Sequence, residues 1–279
     1  MEPLPADLEL QAHLSALEFQ GFTKVDGAIP EPLLSRVQSA FRRMVAGATP
    51  GRLGFGSALH KQRACVIAPD GVIEAAQPYE HHTALLELLE LPKPMAVVEA
   101  LLGQRIATLR HVHGPRVTHR AAGTADLFYS TNAHVLPPGV DCDLRWHADG
   151  DLLRYTWLIE DLPPDGGGTL FLPGTHRAQL PPDKPTPGAQ VPGWVNNKSR
   201  HEDSREWRPR ELPNAVPISG TAGDCFINFT SCWHSRGFNS AETPRCLIWQ
   251  VIGSDGNELP GLYTKLRSGK PLLGPQAAL

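Results

Sequence analysis

Hydrophobic spacing divides the chain in two. Leu10, Leu14 and Leu17 recur at helical intervals behind Asp7, a residue suited to an N-cap. Gly21-Phe22 closes that helix, and Phe22 to Val25 alternates as a short strand. Pro30-Glu31-Pro32 opens a second helix with an apolar stripe of Leu33, Leu34, Val37, Phe41 and Met44. Residues 47–80 read as glycine-rich and irregular, with a turn at Ala68-Pro69-Asp70-Gly71. Two short helices are expected over Thr83 to Leu91 and Pro94 to Leu102. From about Arg105 the period changes from helical to alternating. Strand-like segments cover Ile106–Val112, Leu127–Thr131, Leu144–Ala148, Tyr155–Ile159, Thr169–Leu172, Val216–Ser219, Cys225–Trp233 and Arg245–Ile252, with Pro/Gly turn clusters between them. That pattern predicts an antiparallel sandwich or jelly roll. Residues 177–215 are Pro-rich and charged, too long for a hairpin loop, and read as an inserted lid. No repeat or linker divides the 279 residues, so a single domain is expected: a helical N-terminal part to about 104, then a β core over about 105–255.

Composition narrows the class. Apolar residues make up 41% and charged residues 20%, enough for a packed core and inconsistent with a disordered chain. A net charge of −3 gives no footprint for nucleic acid or an anionic membrane. No apolar run approaches the ~18 residues of a membrane span. The start of the chain lacks the basic-then-apolar pattern of a signal peptide, and the five cysteines show no metal-type pairing. They read as reduced thiols in a cytoplasmic protein.

The sharpest chemical signal is Arg145-Trp146-His147-Ala148-Asp149-Gly150. On an extended chain residues i and i+2 share a face, so His147 and Asp149 can address one point. His-x-Asp alone is common by chance, and Asp149 as a turn cap with His147 as an ordinary strand residue is the plain alternative. A metal site would need a second histidine from another strand. His234, 85 residues after Asp149 and at the end of an apolar run, is the best candidate. Two imidazoles and one carboxylate form the facial triad of non-haem Fe(II) oxygenases, which leaves coordination positions for a bidentate cosubstrate and O2. Arg245 follows His234 by 11 residues across a turn containing Gly237, Asn239, Ser240 and Pro244. A hairpin of that length returns its guanidinium towards the metal position, where it can take a carboxylate bidentately.

Two longer segments carry a resemblance. Gly166-Gly167-Gly168-Thr169-Leu170-Phe171-Leu172-Pro173-Gly174-Thr175-His176-Arg177 resembles the N-G-x-L-x-x-x-P-G-S-H-R segment of the phytanoyl-CoA dioxygenase-like family of Fe(II)/2-oxoglutarate-dependent oxygenases. Gly223-Asp224 through His234, Asn239 and Arg245 resembles that family's G-D-x-x-x-F…H…N-x-S…R segment. The resemblance implies a double-stranded β-helix (jelly-roll, cupin-like) core. It implies that His147, Asp149 and His234 ligate iron and that Arg245 binds the distal carboxylate of 2-oxoglutarate. The family often has Ser two residues after the distal His; here Arg236 stands there and Ser235 one position earlier, so both are candidates for the cosubstrate. No family Lys or Gln can be placed upstream for the cosubstrate's other end, where Tyr129, Thr131, Asn132 and His134 stand instead. Trp157 resembles an aromatic position near the cosubstrate, with core packing as its alternative. The implied reaction is hydroxylation of a small molecule with release of succinate and CO2. The alternatives are a cupin-like metalloenzyme without 2-oxoglutarate and a catalytically silent binding scaffold. Arginines in 177–215 would favour an anionic substrate if that segment is a lid, and would be solvated if it is not. His111-x-His113, His81-His82 and His176 read as structural or solvated, and oligomeric state is open.

Overall fold

The computed structural model describes residues 6–51, 65–76, 78, 82–102, 106–113, 116–121, 126–139, 148, 153–177 and 214–254. Side chains between 103 and 134 and between 251 and 254 lie outside that description, as do His147, Asp149, the expected strand around 144–147 and nearly all of the expected lid.

Two helices and a strand open the fold as expected. Helix α1 spans Ala6–Gln20, strand β1 Phe22–Val25 and helix α2 Glu31–Ala46. Pro32 sits in the first turn of α2, where its missing N–H costs nothing. The stripe read from the sequence (Leu33, Leu34, Val37, Phe41 and Met44) is the buried face of α2. The region read as irregular contains β2 (Thr49–Pro50), β3 (Cys65–Ile67) and β4 (Ile73–Ala76). The expected turn joins β3 to β4: the Gly71 amide donates to Ala68 O at 2.9 Å, with Gly71 at φ +85°. Residues 83–90 form two 3-10 turns, and α3 spans Pro92–Leu102.

The β core follows: β5 Ile106–His113, β6 Arg116–Ala121, β7 Asp126–Leu136, β8 Leu153–Leu158, β9 Thr169–Phe171, β10 Val216–Pro217, β11 Cys225–Phe229, β12 His234–Arg236 and β13 Arg245–Ser254. Ten strands make one sheet, ordered β1-β11-β8-β13-β7-β4-β3-β2, with β6 and β5 continuing beside β7. Three short strands make a second sheet, β10-β9-β12. The N-terminal part is therefore not only helical: β1 pairs with β11 at one edge, and β4 pairs with β7 towards the other.

Strand alternation gives the large sheet two buried faces. Leu153, Tyr155, Trp157, Cys225, Ile227, Phe229 and Ile248 pack in one cluster with Leu14 and Leu17 of α1 and Val37, Phe41 and Met44 of α2. The intervening residues Leu158, Phe226 and Leu247 pack the other way, with Phe22, Phe171 and Ile218. The rings of Phe22 and Phe171 stack across the two sheets at 4.9 Å. The fold is thus mainly β, a two-sheet cupin-like arrangement with helices on the outside of the larger sheet. No helix among the described residues is long and apolar enough to cross a membrane.

Candidate active site

The inter-sheet space gathers the described polar candidates His234, Arg236 and Arg245. β12 is three residues long, but it pairs with β9, His234 opposite Phe171 and Arg236 opposite Thr169, and this registers its side chains. His234 is buried and its two ring nitrogens have distinct partners. Nδ1 lies 2.7 Å from Cys232 O, and Nε2 lies 3.1 Å from Arg154 Nη1. A carbonyl only accepts and a guanidinium only donates, so Nδ1 carries the proton and the Nε2 lone pair faces the interior. A neutral imidazole held at Nδ1–H by a backbone carbonyl, with Nε2 turned inwards, has the form that a metal ligand requires. Among the described residues no three His, Cys, Asp or Glu side chains converge, so the described contribution to a metal is this one imidazole.

Arg245 opens β13, and only 1% of it is exposed. Its Nη1–H donates to Gly167 O at 2.5 Å. The turn before it is fixed by Asn239, whose side-chain amide donates to Leu136 O (3.0 Å) and Thr243 O (2.9 Å) while its Oδ1 accepts from the Ala241 amide (3.2 Å). Gly167 is at φ +75°, and a Cβ there would come within 2.9 Å of the Asn239 backbone. Glycine is thus required for the approach that presents its carbonyl to Arg245.

Arg236 shares the inward side of β12 with His234. Its Nη2 lies 4.0 Å from Glu74 Oε1, and both side chains are buried. Burial pushes the Glu74 carboxyl above its ordinary pKa, while the charges of Arg236 and Arg245 pull it back down. Glu74, Arg236 and Arg245 therefore form one electrostatic group. Neither Glu74 nor Arg154 stood out in the sequence. A charge in a half-alternating strand reads as a solvent-facing position, and the available signal was that each lies among apolar neighbours, Ile73-Glu74-Ala75-Ala76 and Leu153-Arg154-Tyr155.

Two candidates fall elsewhere. Trp157 is on the helix-facing side of β8, opposite to Arg154, with its indole N–H donating to Gln250 Oε1 at 2.6 Å and Tyr155 edge-on at 5.7 Å. The sheet separates that ring from His234, and core packing accounts for it. Ser235 alternates with His234 and Arg236, which puts it on the opposite face of β12. His176 is structural in its setting: Nε2–H donates to Glu18 O at 3.1 Å and the ring stacks on Phe229. The four described cysteines are free, and burial raises their thiol pKa values, to about 11 for Cys65 and about 12 for Cys232 and Cys246.

The chain belongs to the phytanoyl-CoA dioxygenase (PhyH) family, whose model matches residues 17–246. No curated protein matches it at significant sequence similarity. Among solved structures it is similar to the non-haem alpha-ketoglutarate-dependent carbocyclase SnoK from nogalamycin biosynthesis: TM-score 0.60, 16% identity, covering 90% of this chain and 87% of that one. It is similar to the epimerase SnoN in complex with Fe3+, alpha-ketoglutarate and nogalamycin RO: TM-score 0.55, 17% identity, 88% and 83% coverage. HygX from Streptomyces hygroscopicus, with nickel, 2-oxoglutarate and hygromycin B bound, is similar at TM-score 0.55 and 12% identity, with 88% and 87% coverage. At these identities the likeness is one of fold.

Proposed function

We propose that the chain is an Fe(II)- and 2-oxoglutarate-dependent dioxygenase that hydroxylates a small-molecule substrate, releasing succinate and CO2. The carrying observation is His234: buried, neutral, its Nε2 lone pair turned into a space that also holds Arg236 and Arg245. His147, Asp149 and His234 would hold the iron, and Arg245 would receive the distal carboxylate of 2-oxoglutarate. When bound, the Fe(II)/2-oxoglutarate pair supplies the O2-dependent oxidising chemistry. The chain's own work is placement. The Cys232 carbonyl keeps the His234 tautomer. Gly167 O and the Asn239 turn keep the Arg245 guanidinium extended towards the interior. Glu74 offsets part of the positive charge of Arg236 and Arg245 until a dianion arrives. Phe22, Phe171 and Leu247 close the space with apolar surface, which strengthens every charge–charge contact inside. Support for the cosubstrate comes from the family and from the similar structures that hold Fe3+ or nickel with 2-oxoglutarate. A cupin-like enzyme without 2-oxoglutarate, or a silent scaffold, would not need Arg245 to receive a cosubstrate carboxylate.

The test is aerobic incubation with Fe(II), 2-oxoglutarate and a library of small molecules, following succinate and product mass. A product one oxygen heavier than its substrate, formed with one succinate, is expected. A product two hydrogens lighter, or of unchanged mass, would replace hydroxylation by cyclisation or epimerisation, reactions that the descriptions of SnoK and SnoN name for those proteins. Iron binding with no consumption of 2-oxoglutarate under any condition would overturn the assignment.

A further inference from the structure

Asn228 is the polar residue of β11 that turns away from the helices. Its neighbours Ile227 and Phe229 pack in the cluster that includes α1 and α2, so strand alternation directs Asn228 into the inter-sheet space. The two sheets bring it opposite His234. Phe22 is its register partner on β1, and the Phe22 ring stacks on Phe171 of the small sheet. Phe171 in turn is the register partner of His234. A step of one strand from that stack reaches Asn228 on one sheet and His234 on the other. Arg154 fixes the direction of the step: it lies next beyond Asn228 in register, on β8, and its Nη1 is 3.1 Å from His234 Nε2. Packed sheets lie roughly 10 Å apart, so Asn228 stands across the space from the metal position at His234.

The Asn228 side chain is fully buried and only half satisfied. Its Nδ2–H donates to Phe229 O at 3.0 Å, which fixes the orientation of the amide, because only the nitrogen can donate to a carbonyl. Its Oδ1 is buried too and has no hydrogen-bond partner. A buried acceptor without a donor is costly, and an apolar residue would not incur that cost. The family segment that this stretch resembles, G-D-x-x-x-F, has Phe where Asn228 stands. Here an amide interrupts a wall that Phe22, Phe226 and Phe171 otherwise make apolar. The cosubstrate does not supply the missing donor: 2-oxoglutarate as a dianion carries acceptors only, and O2 has no proton to give. The donor therefore comes with a third molecule, the primary substrate. A neutral hydroxyl suits an apolar wall, whereas an ammonium would be buried there with one amide oxygen as its partner.

We propose that Asn228 determines specificity for the primary substrate: its Oδ1 accepts a hydrogen bond from a hydroxyl group of that molecule, an alcohol whose remaining surface is largely apolar. The hydroxyl anchors the molecule across from the metal position. This rests on the Fe(II)/2-oxoglutarate reading above, which it deepens by naming a substrate class and a residue that selects it.

The experiment uses the full chain loaded with Ni(II) and 2-oxoglutarate, which does not turn over, and two probes with the same aromatic body, benzyl alcohol and benzyl methyl ether. Titrations followed by NMR should show the wild type binding the alcohol about threefold to tenfold tighter than the ether, the scale of one hydrogen bond to a buried acceptor. Asn228→Leu, close in volume and without the acceptor, should bind the two probes equally. Its affinities for Ni(II) and 2-oxoglutarate should stay within about threefold of the wild type. A crystal structure of the wild-type complex with benzyl alcohol, which depends on no variant folding, should place the hydroxyl oxygen at hydrogen-bond distance from Asn228 Oδ1. Equal affinity of the wild type for the two probes, absence of binding included, overturns the proposal. An alcohol preference that survives in Asn228→Leu, or a crystal with the hydroxyl bonded elsewhere, does so too. A large loss of Ni(II) or 2-oxoglutarate affinity in Asn228→Leu makes Asn228 a residue of the metal or cosubstrate site and also overturns it. A wild-type chain that takes up Ni(II) without 2-oxoglutarate instead overturns the oxygenase reading itself, and this inference with it.

Discussion

The same strands build two buried faces of the large sheet, and the faces have opposite compositions. Towards the helices β8, β11 and β13 present Tyr155, Trp157, Ile227, Phe229 and Ile248, a surface that burial stabilises at about 25 cal/mol per Å2. Towards the small sheet the intervening positions include half-buried Arg154 and buried Asn228 and Arg245, joined there by Glu74, His234 and Arg236. Burying charges costs free energy even when they are paired, so this second face is not what a stability-driven core would hold. The period of two that every strand obeys lets one sequence serve both ends: odd residues of β8 hold the fold together while Arg154 addresses the site.

The comparison can be broken in order of effect. Trp157→Ala should cost about 3–5 kcal/mol in urea denaturation, as loss of a buried aromatic does. The folded protein should retain its affinity for 2-oxoglutarate; a weakened cosubstrate affinity at intact stability would move Trp157 to the other face. His176, on the helix side, is next. Burial holds its pKa down at about 4, against 6.5 ordinarily, with the Glu18 carbonyl raising it by a smaller amount. The unfolded chain thus binds more protons between those values, so stability is full above about pH 6.5 and falls as pH drops towards 4, by about 3 kcal/mol at most. Denaturation midpoints against pH for wild type and His176→Gln should diverge through that window, the variant being flatter.

Arg245→Ala tests the inter-sheet face. It should weaken 2-oxoglutarate by about 10²-fold, the usual scale for truncating one side of a buried charge-assisted pair, with iron affinity little changed. An unchanged cosubstrate requirement would pass this role to Arg236. The smallest effect belongs outside both faces. Arg36 and Glu87 pair bidentately at 2.7 and 2.8 Å but in solvent, so Arg36→Ala should leave the urea denaturation midpoint nearly unchanged and every binding constant alone.

Legibility followed the same division. Long alternating runs marked β8, β11 and β13, because an apolar residue at every second position is what a half-covered strand needs. His234 and Arg245 were legible from their spacing across a turn. Strands β3 and β4 were hidden: three and four residues long, they join the sheet because β4 pairs with β7, some sixty residues away in sequence, and β3 pairs in turn with β4, and the long-range pairing is a tertiary term that local propensity does not contain. β12 escaped for the same reason, although His234 within it did not. Glu74 and Arg154 were hidden differently. The burial of Glu74 and the partial burial of Arg154 depend on a second sheet lying over the strand, and a single strand's alternation does not reveal whether its polar side meets water or another sheet.

The central claim is that the inter-sheet face assembles Fe(II) with 2-oxoglutarate around His234. Anaerobic addition of both to the wild-type chain should produce a weak visible charge-transfer band, absent with either alone and lost in His234→Ala. A folded wild-type chain that gives no band, or an equal band in His234→Ala, would contradict the account.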